Sequence, residues 1–330
     1  MDAPLSPPAE LLPPAPSAAV ALAPVDPFVS ADRHPVLVYL ARLAPGSRRT
    51  MRQALDAIAD LLTAGERDAA TLDWSAVRYQ HTAAVRAALA ERHAPATANK
   101  MLSALRGVLQ EAWRLGYLDA ETYHRARDLP AIRGESLLRG RALANGELRV
   151  LFTACAADPG PAGARDAAVV AVLYGAGLRR SEAVALDLAD FDPESGALTV
   201  RAGKGRKARV AYLGGGGPEA LEGWLRYRGE TAGPLLLPVN KGKKIQPRRM
   251  TDQALLYILR KRAREAVVKG FSPHDLRRTF ISDLLDAGAD IATVQKLAGH
   301  ANVTTTARYD RRGEATKRRA AGLLHVPFGS

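Results

Sequence analysis

Gly177-Leu178-Arg179-Arg180-Ser181-Glu182 interrupts a helical pattern and sets the frame for what surrounds it. The pattern over Arg165–Leu178 ends at Gly175 and Gly177, and another helix can begin near Ser181. Arg179 therefore falls at a break, where a side chain can be presented into a cleft. Downstream, Ala197–Arg201 and Ala208–Leu213 alternate apolar residues around Gly203-Lys204-Gly205-Arg206-Lys207, which predicts a hairpin with Lys204 on its turn. Ser272-Pro273-His274-Asp275-Leu276-Arg277 then opens a helix, because Pro273 suits its first position. Leu276, Phe280 and Leu284 mark its buried face, and His274 and Arg277 are neighbours on its first turn. Leu297-Ala298-Gly299-His300 follows, with Tyr309 nine residues beyond.

The same patterning organises the rest. Pro35 to about Leu118 is helical throughout. Ser47 is the expected cap of a helix with Met51, Leu55, Ile58, Leu61 and Leu62 inward, ended by Gly65. A second helix is expected over Ala76–Arg92, and a third from Thr97 to Gly116. Together they predict a small bundle of three or four helices. Pro130–Arg141 has two glycines, three arginines and little periodicity, and reads as a basic linker. Beyond it Leu143–Ala156 is helical and Gly214–Gly217 a loop, so the fold class is mainly α with a small β-sheet. The expected organisation is a disordered tail over 1–30, a helical domain over 31–129, a linker over 130–141 and a second domain over 142–330.

Charge narrows the partner. Lys and Arg number 47 against 34 acids, a net +13. Residues 1–30 hold three acids, no Lys or Arg, and eight of the 21 prolines, so the remaining 300 residues carry +16. That excess points to a polyanion, either nucleic acid or an acidic membrane face. The helical bundle exposes Arg48, Arg49, Arg52, Arg86, Lys100, Arg106 and Arg114, which fit either solvated faces or contacts to DNA phosphates. Lys241–Arg249, with Lys243, Lys244 and Arg248, is expected to be a DNA-facing loop, with a solvated surface loop as the alternative. The single cysteine, Cys155, excludes an intramolecular disulfide and reads as a small core residue. No apolar run is long enough to span a membrane, and no secretory signal is evident, so a cytoplasmic location is expected.

The residues at 177–309 suit attack on a phosphodiester. Two guanidiniums can each bind two phosphate oxygens and stabilise the charge that grows there in the transition state. A Lys on a turn can protonate a departing alkoxide, and a Tyr can be a covalent nucleophile when cations or a base assist it. No carboxylate cluster with metal-ligand spacing accompanies them, which argues against a two-metal nuclease.

In these motifs the chain resembles the tyrosine recombinases, the integrase and Xer-like enzymes of phages and bacteria. The resemblance covers roughly residues 33–325. It rests on G-L-R-x-S-E at Gly177–Glu182, G-K-G-x-K at Gly203–Lys207, H-x-L-R at His274–Arg277, L-x-G-H at Leu297–His300 and T-T-x-x-Y at Thr305–Tyr309. Any one motif is weak; five in the family's order are specific. The resemblance implies that Arg179 and Arg277 hold the scissile phosphate and that Lys204 is the general acid, with Arg206 and Lys207 close by. It implies that His274 assists proton transfer, His300 hydrogen-bonds the phosphate and Tyr309 forms a 3′-phosphotyrosyl link. Glu182 and Asp275 would orient neighbours. The implied fold is a SAM-like core-binding domain and a catalytic domain of the DNA breaking-rejoining type, forming a C-shaped clamp. The implied partner is double-stranded DNA with paired sites, bound by a homotetramer or by a heterotetramer with a related recombinase. The segment Lys317–Phe328 would dock on a neighbouring subunit. No nucleotide, metal or redox cofactor is implied.

Two departures stand out. Arg278 occupies a position where many members have a second His, and the Pro-rich tail is unlike the accessory DNA-binding domain of phage integrases. Two other classes share these features. A catalytically silent DNA-binding relative would lack an Arg, the Lys or the Tyr, and none is missing. A type IB topoisomerase-like enzyme would relax DNA as a monomer. A membrane-surface protein is the weakest alternative, since no basic helix carries a bulky apolar face.

Overall fold

The computed structural model describes residues 30–134, 140–201, 208–310, 312–313, 318 and 321–324. The tail over 1–29, the turn carrying Lys204 and Lys207, and most of Lys317–Phe328 lie outside the described residues. The chain divides into two units, Met1–Leu138 and Arg139–Ser330.

Among its described residues the first unit has five α-helices: α1 (Pro35–Ala41), α2 (Pro45–Thr63), α3 (Tyr79–Arg92), α4 (Pro95–Arg114) and α5 (Ala120–Arg127). Proline opens α1, α2 and α4, where its missing N–H costs nothing. Pro45 therefore sets the start of α2, and Ser47 sits inside the first turn instead of capping it. The expected inward faces meet in one core, with Leu55, Ile58, Leu89, Leu102, Leu105 and Leu109 fully buried. The second helix, expected from Ala76, begins at Tyr79; Ala76 instead ends a separate 3-10 turn, Trp74–Ala76, with Asp73 accepting from the Ser75 amide. Ile132 is bound to this unit, since Asn99 exchanges two 2.8 Å hydrogen bonds with its backbone.

The second unit holds α6 (Asn145–Ala156), α7 (Pro161–Val170), α8 (Arg180–Ala185), β1 (Phe191–Asp192), β2 (Ala197–Val200), β3 (Arg209–Tyr212), α9 (Gly217–Arg228), α10 (Asp252–Glu265), α11 (Pro273–Asp286), α12 (Ile291–Ala298) and α13 (Val303–Ala307). The sheet is antiparallel in the order β1-β2-β3, and Val200 opposite Arg209 closes the expected hairpin. Strand alternation buries Leu198, Val200 and Ala211 against Trp224, while Val210 and Tyr212 face outward. Buried Arg262 donates to Asp166 at 2.8 Å and Asp158 at 2.7 Å, tying α10 to α7 with charges that compensate one another. A smaller core of Phe280, Ile281, Leu285, Val294 and Ala298 backs Tyr309. No helix among the described residues is long and apolar enough to cross a membrane.

One backbone feature runs against its residue type. Val267, just past the end of α10, has φ +52° and is 92% exposed. The left-handed region costs a β-branched residue about 1–2 kcal/mol, whereas glycine adopts it freely. Val267→Gly is therefore expected to stabilise this unit by about 0.5–1 kcal/mol, after the greater chain entropy of glycine is allowed for. A thermal melt that shows no rise in Tm would contradict this.

Candidate active site

A π-helical turn at Ala171–Gly175 extends α7 and delivers the chain to Gly177. Gly177 has φ +60°, and a Cβ there would lie 2.2 Å from the Phe280 ring, so only glycine makes this turn. The turn places Arg179 at the N-cap of α8. Glu182, at the third helical position, accepts from the Arg179 amide at 2.9 Å and from Arg179 Nη1 at 2.6 Å. Arg179 Nη2 donates to the Gly299 carbonyl at 3.0 Å. From β3, Arg209 adds a fork onto the same carboxylate, at 3.1 and 2.8 Å. Burial alone would raise the Glu182 carboxyl, but the hydrogen bonds from Arg209 and the Arg179 backbone outweigh it and hold the group down at about 2.

The first turn of α11 supplies the second half. Asp275 accepts from the Ser272 amide and hydroxyl at 2.9 and 2.8 Å, fixing the helix start. Its other oxygen accepts from the Arg141 amide at 3.0 Å, so the distal end of the expected linker is held on this unit. Arg277 is 1% exposed. Its Nη1 donates to the Gly177 carbonyl at 2.6 Å and its Nη2 to the Ala298 carbonyl. Burial, then repulsion from Arg179, pulls it down to about 9, still protonated at neutral pH.

Tyr309, 9% exposed, follows α13, and its Oη lies 3.2 Å from His274 Nε2. Burial and the charges of Arg277 and Arg278 lower His274, so its ring is neutral near pH 7. The His300 ring centroid is 6.1 Å from that of Tyr309, and its Nδ1 lies 2.9 Å from Thr306 Oγ1. Burial, with Arg277 and Arg179, pushes His300 down to about 4. Arg278 Cζ sits 5.3 Å from the Tyr309 ring centroid, a cation–π contact. Arg179, His274 and Arg277 line an open cleft of ≈ 500 Å³ together with Arg180, Ser181 and Arg260.

The structure thus assembles Arg179, His274, Arg277, His300 and Tyr309 from motifs spread over 130 positions of one unit. Lys204 lies outside the described residues, between the ends of β2 and β3. Among the residues predicted to meet DNA, Arg49, Lys100, Lys243, Lys244 and Arg248 are exposed. Arg48 donates to the Leu43 and Ala41 carbonyls, and Arg106 to the Leu129 carbonyl, so both also serve the fold. Arg249 binds the Val184 carbonyl and Asp187, closing the end of α8 instead of extending the basic loop. Sequence reasoning gave no role to Arg209 or Thr306. Thr306 stood inside a quoted motif, but Arg209 carried no local signal.

The histidines give a pH signature. A depressed folded-state pKa means that the unfolded chain binds protons first, so stability is full above about pH 6.5 and is lost as pH falls towards 4. For partly exposed His300 the loss between about pH 7 and pH 5 is on the order of 1 kcal/mol. His300→Gln is expected to flatten this part of the urea-unfolding profile. An unchanged slope would show that His300 is not its source.

The phage integrase family model matches residues 141–315, just over half of the chain. The tyrosine recombinase XerC of Myxococcus xanthus is 37% identical over 155 residues, 44% of this chain and 50% of that protein. The tyrosine recombinase XerD of Pseudomonas aeruginosa is 36% identical over 220 residues, 64% of this chain and 69% of that protein. The chain thus spans about half the length of the first of these curated relatives. Among solved structures, the Tn1549 transposon integrase in complex with transposon right end DNA has TM-score 0.64 at 14% identity, covering 89% of this chain and 100% of that one, a likeness of fold. On its family match and its aligned relatives, this chain belongs to the phage integrase family of tyrosine recombinases.

Proposed function

We propose that this chain is a site-specific recombinase that cuts and rejoins duplex DNA through a 3′-phosphotyrosyl intermediate on Tyr309. The observation that carries this is His274 Nε2 at 3.2 Å from Tyr309 Oη, beside Arg277 and within one chain. In this reading Arg179 and Arg277, which line the cleft, clamp the non-bridging phosphate oxygens. Tyr309 Oη attacks phosphorus and gives its proton to the neutral His274. The O–P bond to Tyr309 forms as the bond to O5′ breaks, and Lys204 protonates O5′. With Thr306 donating to Nδ1, His300 carries its proton on Nε2 and can donate to the phosphate. Rejoining runs the same steps backwards with another 5′-hydroxyl. One phosphodiester is exchanged for another, so the cycle needs neither ATP nor a metal.

In this scheme 31–129 is the core-binding domain, 130–141 the linker and 142–330 the catalytic domain. Both domains bind paired DNA sites, in a homotetramer or with a related recombinase. Phosphate contacts by Arg49, Lys100, Lys243, Lys244 and Arg248 make the affinity fall steeply with salt. Lys243→Gln is expected to reduce the slope of log K against log salt by about 1, uniformly across DNA sequences.

The deciding experiment uses nicked duplexes carrying the sequence that the protein selects from a random pool, which trap a cleaved intermediate. A covalent protein–DNA adduct on a denaturing gel supports recombinase chemistry. No adduct on DNA that the protein demonstrably binds would leave a DNA-binding protein without this chemistry.

A further inference from the structure

Arg209 joins three parts of the site. It opens β3 opposite Val200, the last described pair of β2 and β3. Its side chain is 12% exposed. Nη1 and Nη2 grip the two oxygens of Glu182, the carboxylate that also receives the amide and Nη1 of Arg179. Nε donates to the Leu297 carbonyl at 3.1 Å. A Cβ on Gly299 would lie 2.9 Å from Arg209 Cδ and Nε, so the side chain passes directly beneath the turn before His300.

We infer that Arg209 is a positioning residue that sets the orientation of Arg179 and holds it in register with the turn before His300. The inference rests on the recombinase reading above. Each Glu182 oxygen accepts two hydrogen bonds, and the two arginines divide them. If Arg209 is removed, the buried carboxylate keeps Arg179 as its remaining guanidinium. Arg179 then closes onto it in full fork geometry, releases the Gly299 carbonyl and turns its N–H groups out of the cleft. Misplacement by about 1 Å costs about a hundredfold in rate. DNA affinity, spread over many phosphates, changes little.

The test measures single-turnover adduct formation at saturating DNA, with Kd measured separately, on the nicked duplex described above. Arg209→Met is expected to form adduct about a hundredfold more slowly, with Kd within about threefold of the parent. Arg209→Lys keeps the charge but loses the fork, and is expected to be slowed about tenfold. A wild-type rate for folded Arg209→Met overturns the inference, as does a loss confined to Kd. If Arg209→Met does not fold by circular dichroism, Arg209→Lys decides, and a wild-type rate there overturns it. A parent protein that forms no adduct fails the recombinase reading instead, before any variant is compared.

Discussion

Tyr309→Phe is expected to lower covalent adduct formation by about 10⁴-fold or more while leaving DNA binding and the fold in place. The substitution removes one oxygen. The ring keeps its place against Phe280, Ile281 and Leu285 and its contact with the Arg278 guanidinium. What disappears is the 3.2 Å contact with His274, worth about 1 kcal/mol to stability. The chemical loss is far larger because, among the described residues lining the cleft, no other tyrosine stands beside Arg179, His274 and Arg277. Tyr174 belongs to the same small core but is differently placed. Its hydroxyl donates to Asp283 at 2.8 Å, and burial, then that bond, pushes it up to about 12. It is therefore held as the phenol when Tyr309 is absent. The comparison is made on denaturing gels with matched active fractions. An adduct that survives Tyr309→Phe would place the nucleophile elsewhere and remove the basis of the proposed mechanism.

What could be read from the chain beforehand followed the range of each interaction. Helix faces are set by residues three and four apart, so Leu55 and Ile58, or Leu276 and Phe280, announced their burial. The β2–β3 hairpin was legible because its pairing is local and its turn is glycine-rich. The two-residue β1 was not, since it exists only by pairing with Leu198 and Ala197. The π-helical turn was also missed, because its sequence has the same apolar pattern as the helix it extends. Within the site, the short motifs fixed Arg179, His274 and Arg277 through caps and first turns. Arg209 was invisible, since its partners lie 27 and 88 positions away. Its basic character looked like one more charge in a basic chain. Arg106 and Arg48 mark the same limit from the other side, as exposed-looking arginines that bind backbone carbonyls of their own unit.

Arg277→Lys is expected to slow adduct formation by about 10³-fold near neutral pH, and the loss should shrink as pH is lowered. Arg277 spends two N–H groups on the Gly177 and Ala298 carbonyls, from parts of the chain 100 and 21 positions away. A lysine ammonium is a single point charge and cannot hold both carbonyls and a phosphate oxygen in one plane. Its protonation is also exposed to the same forces. Burial and Arg179 already pull a guanidinium down to about 9 at this position. An ammonium starts about 2 pH units lower in solution, so the same surroundings bring it to the edge of losing its proton near neutrality. Lowering pH from about 8 to 6 then restores charge to the Arg277→Lys variant without disabling the base, because burial holds His274 below its usual range and it stays neutral for most of that interval. Wild type lacks this recovery, since its guanidinium is charged throughout. A variant whose loss is the same at both pH values would show that the fork geometry alone, and not the charge in the buried position, is what Arg277 contributes. A variant with no loss would take Arg277 out of the phosphate clamp.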